Sequence, residues 1–416
     1  MQKATVVQKQ QIDMSVRYGG LFRRTLARAV QKSLDNVKAH QYTVPEEVRE
    51  QAWHMLKLLF EGDELWEEAS QLLIELAPRM EMAGFREDWL NYLTIGVKRS
   101  IEFEDASSEA ELKLLVGMLL RLLGNHEEAM RNLQVSYELF GIIDEKIGQA
   151  KVRNQMAYLM FHRFNFDIAE QYAHEGLSLA IRYYQEKAES LSILGLIITE
   201  RTYWQKDNKS ENLRMAEEYH QEALEIRMNI GDHRKVAWSL QNIGYTLRMR
   251  SRFKEAIKHY EEACSILSKL NDPANLAIVK MNIGLANQAL GKPRKALETY
   301  RHARLVFQRL HDQLNVGRIH VNEGLSFLEL SEPNCAEKSF QEAIRIFQLL
   351  KNDSLRLNAI DGWALSLIAQ HDYRTAIEVL NIAIAELSQL PDLPNYQYLY
   401  QSMNTHLTEA KSFYRG

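Results

Sequence analysis

An all-α fold of repeated helix hairpins is predicted for this chain, and three observations predict it. The tripeptides Asn242-Ile243-Gly244, Asn282-Ile283-Gly284 and Asn322-Glu323-Gly324 stand forty residues apart, which marks an internal repeat. A small residue follows each glycine at a fixed distance (Ala256, Ala296, Ala336), and another follows at a second (Ala263, Ala303, Ala343). Small residues at these places let the two helices of a hairpin approach closely, with Leu247, Ile257, Tyr260 and Ile266 filling the rest of the contact. Third, 46% apolar and 25% charged residues with only seven prolines describe an ordered helical chain.

The grid extends in both directions. Ala364, Ala376 and Ala383 continue it; Ala157, Ala169 and Gly176 precede it, as do Gly117, Ala129 and Ser136. Gly195 joins Ala216 and Ala223 only if extra residues are inserted around Tyr203 to Leu213. A chain of 416 residues would ordinarily hold two or three domains, but a repeat array grows lengthwise with each unit touching only its neighbours.

From the N-terminus, residues 1–44 form a basic extension. Lys3, Lys9, Arg17, Arg23, Arg24, Arg28, Lys32 and Lys38 outnumber Asp13 and Asp35, a balance of +6. Phe22, Leu26, Val30, Leu34 and Val37 recur at helical spacing, so Leu21 to Lys38 reads as a basic amphipathic helix. Such a helix either caps the first apolar face of the array or serves as an arm for a partner, a nucleic acid or a membrane surface. An organelle presequence has the same composition.

Residues 45–106 read as degenerate helical repeats, with a hairpin over Ala52–Glu61 and Glu64–Glu81 and a further helix from Arg86 to Phe103. Residues 107–392 carry the regular array, beginning with Ser107–Gly124 and His126–Phe140. Gly291-Lys292-Pro293 and Gly124-Asn125 supply turn chemistry within hairpins, and Asn271-Asp272-Pro273 supplies it between them. Residues 393–416 form a C-terminal capping helix.

The net charge of −4 gives no overall pull toward nucleic acid or anionic membrane. Two cysteines, Cys264 and Cys335, make neither a disulfide framework nor a metal motif and suit a reducing compartment. The longest nearly apolar stretch, Leu191 to Ile198, is too short to span a bilayer, and no secretory signal is visible. A cytoplasmic location is expected.

The grid of Gly or Ala, Ala and Ala resembles the tetratricopeptide repeat (TPR) over roughly residues 107–392. The signature aromatic of the first helix and the closing proline are mostly absent, so the units are divergent. The forty-residue period looks like the long class found in kinesin light chains, cell-polarity scaffolds, Rap-type peptide-sensing regulators and the maltose-activator sensor. That resemblance implies a right-handed superhelical solenoid with a concave groove.

No catalytic signature is present: no phosphate-binding glycine loop, His-Glu-x-x-His, nucleophile elbow or cysteine with an obvious base. The chain is therefore not expected to be an enzyme, and no metal, cofactor or small-molecule substrate is expected. One oddity is Glu323, which stands where other repeats carry Ile243, Ile283 and Trp363, with His320 one helical turn before it. The pair is either a ligand-contacting or pH-sensitive element, or a locally satisfied polar substitution.

Asn242, Asn282 and Asn322 precede the packing glycine by two residues, a rotation of about 200° on a helix. They therefore face away from their own hairpin, which in the tetratricopeptide scheme is the concave groove. An amide offers a donor and an acceptor, matching the N–H and C=O of an extended peptide. First helices packed about 8–10 Å apart would meet such a peptide roughly every third residue, given an advance of about 3.3 Å per residue. The resemblance implies the same use, since these positions bind main chain in kinesin light chains and protein O-glycosyltransferases. Fixing repeat register against a neighbouring helix is the structural alternative.

Gln155 could continue the column, whereas Ile193 and Gly362 interrupt it. The neighbours expected to select a ligand are Trp238, Gln241, Tyr245 and Arg248, then Ile278, Met281, Leu285 and Gln288, then Arg318, Val321 and Leu325. This largely apolar lining lacks the lysine-asparagine-lysine-arginine clamp of chaperone-tail binders. The expected function is a scaffold or adaptor that binds a peptide or extended protein segment in the groove. The alternative is a peptide-sensing regulator whose ligand changes the solenoid's conformation; nucleic-acid or membrane contact through the N-terminal helix is a third reading.

Overall fold

The computed structural model describes residues 22–40, 44–60, 65–82, 86–205, 209–391, 393 and 395–414, and all regular structure among them is helical. Residues 22–38 form α1. There follow α2 (Glu46–Phe60), α3 (Trp66–Met82), α4 (Arg86–Glu102), α5 (Ala106–Leu122), α6 (His126–Ile142), α7 (Lys146–His162), α8 (Phe166–Leu179) and α9 (Tyr184–Gln205). The chain continues through α10 (Lys209–Ile230), α11 (His233–Met249), α12 (Phe253–Lys269), α13 (Pro273–Ala289), α14 (Pro293–Arg309) and α15 (Gln313–Glu329). It ends with α16 (Pro333–Leu349), α17 (Asp353–Ala369), α18 (Tyr373–Leu387) and α19 (Tyr396–Tyr414). The Lys3, Lys9, Asp13 and Arg17 part of the basic extension lies outside the described residues, as do residues 206–208 within the expected insertion.

These helices divide into two compact units, one of Met1–Leu159 with Glu175–Glu186, the other of Met160–His174 with Lys187–Gly416. In the first, Val30, Leu34 and Val37 of α1 are buried while Arg23, Arg24, Arg28, Lys32 and Lys38 stay exposed. The helix packs against its unit, with Arg79 Nε donating to the His40 carbonyl at 3.0 Å. Phe22 does not share in this: it is 68% exposed. Trp89 is fully buried, stacked on Tyr92 and edge-on to Trp53.

The second unit holds the regular array. Helices α11/α12, α13/α14, α15/α16 and α17/α18 pair as hairpins, and α11, α13, α15 and α17 also touch in succession. Local chemistry sets their common length of 17 residues from α11 to α17. Asp232, Asp272, Asp312 and Asn352 cap the first helices by accepting a backbone N–H three residues on, again forty residues apart. Pro293 and Pro333 open α14 and α16, where a missing N–H costs nothing. Each helix ends with a residue of left-handed backbone: Ser251, Gly291, Ser331 and His371 within hairpins, Asn271, His311 and Lys351 between them. The next N–H then reaches back, as Lys292 does to the Asn287 carbonyl at 3.0 Å, satisfying carbonyls the helix leaves open.

The grid glycines have a physical partner sixteen residues on. A Cβ at Gly244 or Gly284 would lie 2.5 or 2.2 Å from the ring of Tyr260 or Tyr300, and at Gly324 it would lie 2.7 Å from Phe340. Where the grid carries Ala364 instead, the matching residue is Leu380, and both are buried in one cluster. Small and large residues thus complement each other across every hairpin from α11 to α18.

The expected insertion proves helical: α9 and α10 run 22 residues each, about one and a half turns longer than their counterparts. Here His220 takes the ring position against Gly195, 2.5 Å from where a Cβ would stand. Both of its nitrogens are buried without a partner, and burial, reinforced by nearby Arg227, depresses its pKa to about 3. Arg227 is itself buried and answered by Glu189 Oε2 at 2.8 Å and Ser239 Oγ at 2.7 Å. At the far end, α19 buries Leu399 and Met403 and clasps Asp361. Ser402 Oγ donates to one carboxylate oxygen at 2.6 Å, and His406 Nδ1 sits 2.7 Å from the other.

Candidate functional site: the asparagine face

Asn242, Asn282 and Asn322 occupy α11, α13 and α15, which touch one another in sequence. All three are half-buried. Each lies two residues before a glycine whose ring partner, Tyr260, Tyr300 or Phe340, belongs to the second helix of the same hairpin, so each faces away from that hairpin. None of the three amides hydrogen-bonds to any described residue, and none is sealed from solvent. The same holds for Gln241. By contrast Asn287, on the hairpin side of α13, is buried and donates to the Ile283 carbonyl at 3.0 Å.

The flanking side chains are held by neighbours. Tyr245 donates its hydroxyl to Glu200 Oε1, and Arg248 lies over the Tyr245 ring at 5.2 Å. Burial, then the adjacent Glu200 carboxylate, raises the Tyr245 pKa well above its ordinary value, so it remains a neutral donor. Trp238 is covered by the Arg234 guanidinium at 4.7 Å, which is fixed in turn by Asp272 at 2.7 Å. Gln288 is engaged on both sides, accepting from Tyr300 Oη at 3.2 Å and donating to Glu329 Oε1 at 2.8 Å. Met281 is buried, while Ile278, Leu285 and Val321 are half-buried and pack against the core, and Leu325 is half-buried beside Asn322 on α15. Arg318 is exposed, yet the protein around it desolvates the guanidinium and lowers its pKa.

Glu323 is buried, and its carboxylate lies 3.2 Å from both Arg304 Nε and His320 Nδ1. It is thus a locally compensated substitution, and the cation beside it, Arg304 on α14, has no counterpart in the sequence pairing of His320 with Glu323. The column closes where expected. Ile193 is fully buried, and a Cβ on Gly362 would collide with Phe340 at 2.3 Å. Gln155 is taken by Arg121 Nη2 at 3.4 Å. Sequence reasoning missed Arg234, Glu200 and Glu329. Arg234 sits one turn before Trp238 and could have been found from that spacing, whereas Glu200 becomes a neighbour only once the insertion is placed.

No group of three or more metal-ligating side chains forms among the described residues. No helix among them is long and apolar enough to cross a membrane.

A repeat unit with small residues at these offsets, stacked as α11 to α18 are, defines the tetratricopeptide class. Residues 208–269 and 275–348 match the tetratricopeptide repeat family, and the fold is of the tetratricopeptide type. Among solved structures it is similar to a Rap protein complexed with competence and sporulation factor. The TM-score is 0.58 at 14% identity over 94% of this chain and 99% of that one. It is also similar to a signal transduction ATPase with numerous domains, carrying a tetratricopeptide repeat sensor, from Pyrococcus horikoshii. There the TM-score is 0.52 at 18% identity, over 89% of this chain and 55% of that one. No curated protein matches.

Proposed function

We propose that the face of α11, α13 and α15 is a groove that binds a peptide or an extended segment of another protein, and that the chain works as a scaffold or adaptor. The observation that carries this reading is the set of three in-register asparagine amides with no partner among the described residues. A structural asparagine would be satisfied by its neighbours, as Asn287 is. Unsatisfied, solvent-reached amides repeating along adjacent helices suit the alternating N–H and C=O groups of a guest backbone. Trp238, Tyr245 and Arg248 are already braced by Arg234 and Glu200, so little side-chain entropy is lost when a ligand arrives. Apolar Ile278, Leu285 and Leu325 favour a ligand with apolar anchors, and Arg248 and Arg318 favour an acidic group on it.

A regulatory use of the same groove, in which the ligand changes the conformation of the array, is the second reading. It is supported by the similar fold of the Rap protein solved with competence and sporulation factor.

The test is panning of a random twelve-residue peptide library on the immobilised chain and on a variant with Asn242, Asn282 and Asn322 all changed to Ala. Circular dichroism melts verify that the variant folds. Wild type should enrich related sequences that the folded variant fails to retain. Equal enrichment by both would make the column structural. A ligand-induced change in hydrodynamic radius would favour the regulatory use.

A further inference from the structure

From α10 to α18, the second helices of the hairpins neutralise their exposed arginines locally, except on α14. Arg214 pairs with Glu218 on α10, Arg252 with Glu255 at the start of α12, Arg345 with Glu342 on α16, and Arg374 with Glu378 on α18. On α14, Arg294, Lys295, Arg301 and Arg309 are exposed, with Lys292 just before them, and none has an ion-pair partner among the described residues. Glu298 is the one exposed carboxylate on this helix, and no cation lies within salt-bridge distance of it. Exposed His302 adds a group that charges below neutrality. The flanking helices do not share this imbalance: on α12 exposed Lys254, Lys258 and Lys269 are balanced in number by exposed Glu255, Glu261 and Glu262, and on α16 Lys338 and Arg345 by Glu337 and Glu342. A concentrated positive stripe in a chain of net charge −4 costs helix stability through like-charge crowding. Such violations of local consistency are expected where a surface serves a partner.

We propose that α14 is a second binding surface, separate from the asparagine groove, for an acidic amphipathic segment of a partner protein. From Arg294 to Arg309 the cations run about 22 Å along the helix, the length of a short peptide laid on its outer face. Leu305 decides the class of partner. It is 46% exposed in the midst of the cations, and Leu310 is 39% exposed at their end. A leucine gains nothing against a phosphate backbone but buries area against an apolar side chain of a peptide. Acidic side chains flanking an apolar one complement this stripe; a nucleic acid would use only the charges.

The experiment uses the full chain and a fluorescein-labelled sixteen-residue peptide rich in glutamate with a leucine at its centre. Two comparison probes accompany it: the same peptide with alanine in place of that leucine, and a sixteen-base-pair DNA duplex. The expected result by fluorescence anisotropy at physiological salt is tighter binding of the leucine peptide than of either comparison probe. Arg294→Glu, Arg301→Glu and Arg309→Glu together should weaken it at least tenfold. Leu305→Ala should weaken the leucine peptide and leave the alanine peptide unchanged. If charge reversal lowers the melting temperature, the set Arg294→Gln, Arg301→Gln, Arg309→Gln replaces it and should still weaken binding severalfold. The proposal is overturned if the charge variants bind as wild type does, or if the duplex binds more tightly than the peptide. Loss of the acidic peptide in the folded asparagine triple variant would also overturn it, by placing that peptide in the groove.

Discussion

If small–large complementarity across each hairpin sets how closely its helices approach, exchanging both members of a pair should be far less damaging than exchanging one. Gly284→Ala gives the sharpest test. The new Cβ would stand 2.2 Å from Tyr300 Cε1 and 2.7 Å from Cδ1, well inside contact distance. The ring has nowhere to go, since Tyr300 is fully buried and its hydroxyl donates to Gln288 at 3.2 Å. Overpacking of this kind costs about 1–3 kcal/mol, and a pinned ring argues for the upper end. Alanine in a helix interior returns roughly 0.5–1 kcal/mol relative to glycine. The net loss should then be about 2 kcal/mol. Tyr300→Leu alone should also destabilise, by roughly 2 kcal/mol, through the cavity left beside Gly284.

The double variant recreates the pair that the last hairpin already uses, Ala364 with Leu380. It should fall short of the sum of the single losses by about 2 kcal/mol, because one substitution removes the clash and the other fills part of the cavity. Urea denaturation followed by far-UV circular dichroism, on all four proteins, measures this coupling. Additive losses, within about 0.5 kcal/mol, would refute the reasoning.

Four further outcomes follow from buried or exposed groups. Glu189→Ala should cost about 3–5 kcal/mol by stranding Arg227 in the core, and a loss below about 1 kcal/mol in the same assay would count against it. His220→Phe should raise the unfolding free energy by about 1 kcal/mol, seen as a higher urea midpoint, because an orphaned imidazole is replaced by the ring that Phe340 shows to fit against a glycine. A lower midpoint would mean that His220 is satisfied. The hydrogen bond to Asp361 raises the His406 pKa, so its stabilisation of α19 is complete below the unfolded value near 6.5 and fades as pH rises through the raised folded value. Hydrogen exchange of α19 should therefore show less protection at pH 8.5 than at pH 6, after correction for intrinsic rates, and the Asp361→Asn variant should lose that dependence. With an aromatic disulfide reagent, exposed Cys335 should react first and Cys264 slowly, since burial pushes the Cys264 thiol up to about 11; equal rates would contradict the burial.

The hairpins were legible because close helix approach imposes a residue size at fixed offsets, and size is visible in a sequence. The forty-residue recurrence of Asp232, Asp272, Asp312 and Asn352 was equally available, and it marks the helix starts through capping. The insertion was placed correctly by the offset of Gly195, but its form was not legible. Residues Tyr203 to Leu213 lack the glycine or proline that would force a loop, so the extra length went into two longer helices.

Recognition differs from packing in this respect. Asn282 and Gln288 are both amides on α13, six residues apart, and both are expected from the sequence to meet a ligand. Gln288 is occupied by Tyr300, twelve residues away, and by Glu329, forty-one residues away, whereas Asn282 has no partner among the described residues. No local pattern separates the two, because the difference lies in what the second helix of the hairpin and the next hairpin bring alongside. Residue type at a repeated position therefore identifies where a polar group points. Only the satisfaction of that group by its neighbours distinguishes a side chain that holds the repeats in register from one left available to bind, and by that criterion the proposed groove would rest on Asn242, Asn282, Asn322 and Gln241 rather than on Gln288.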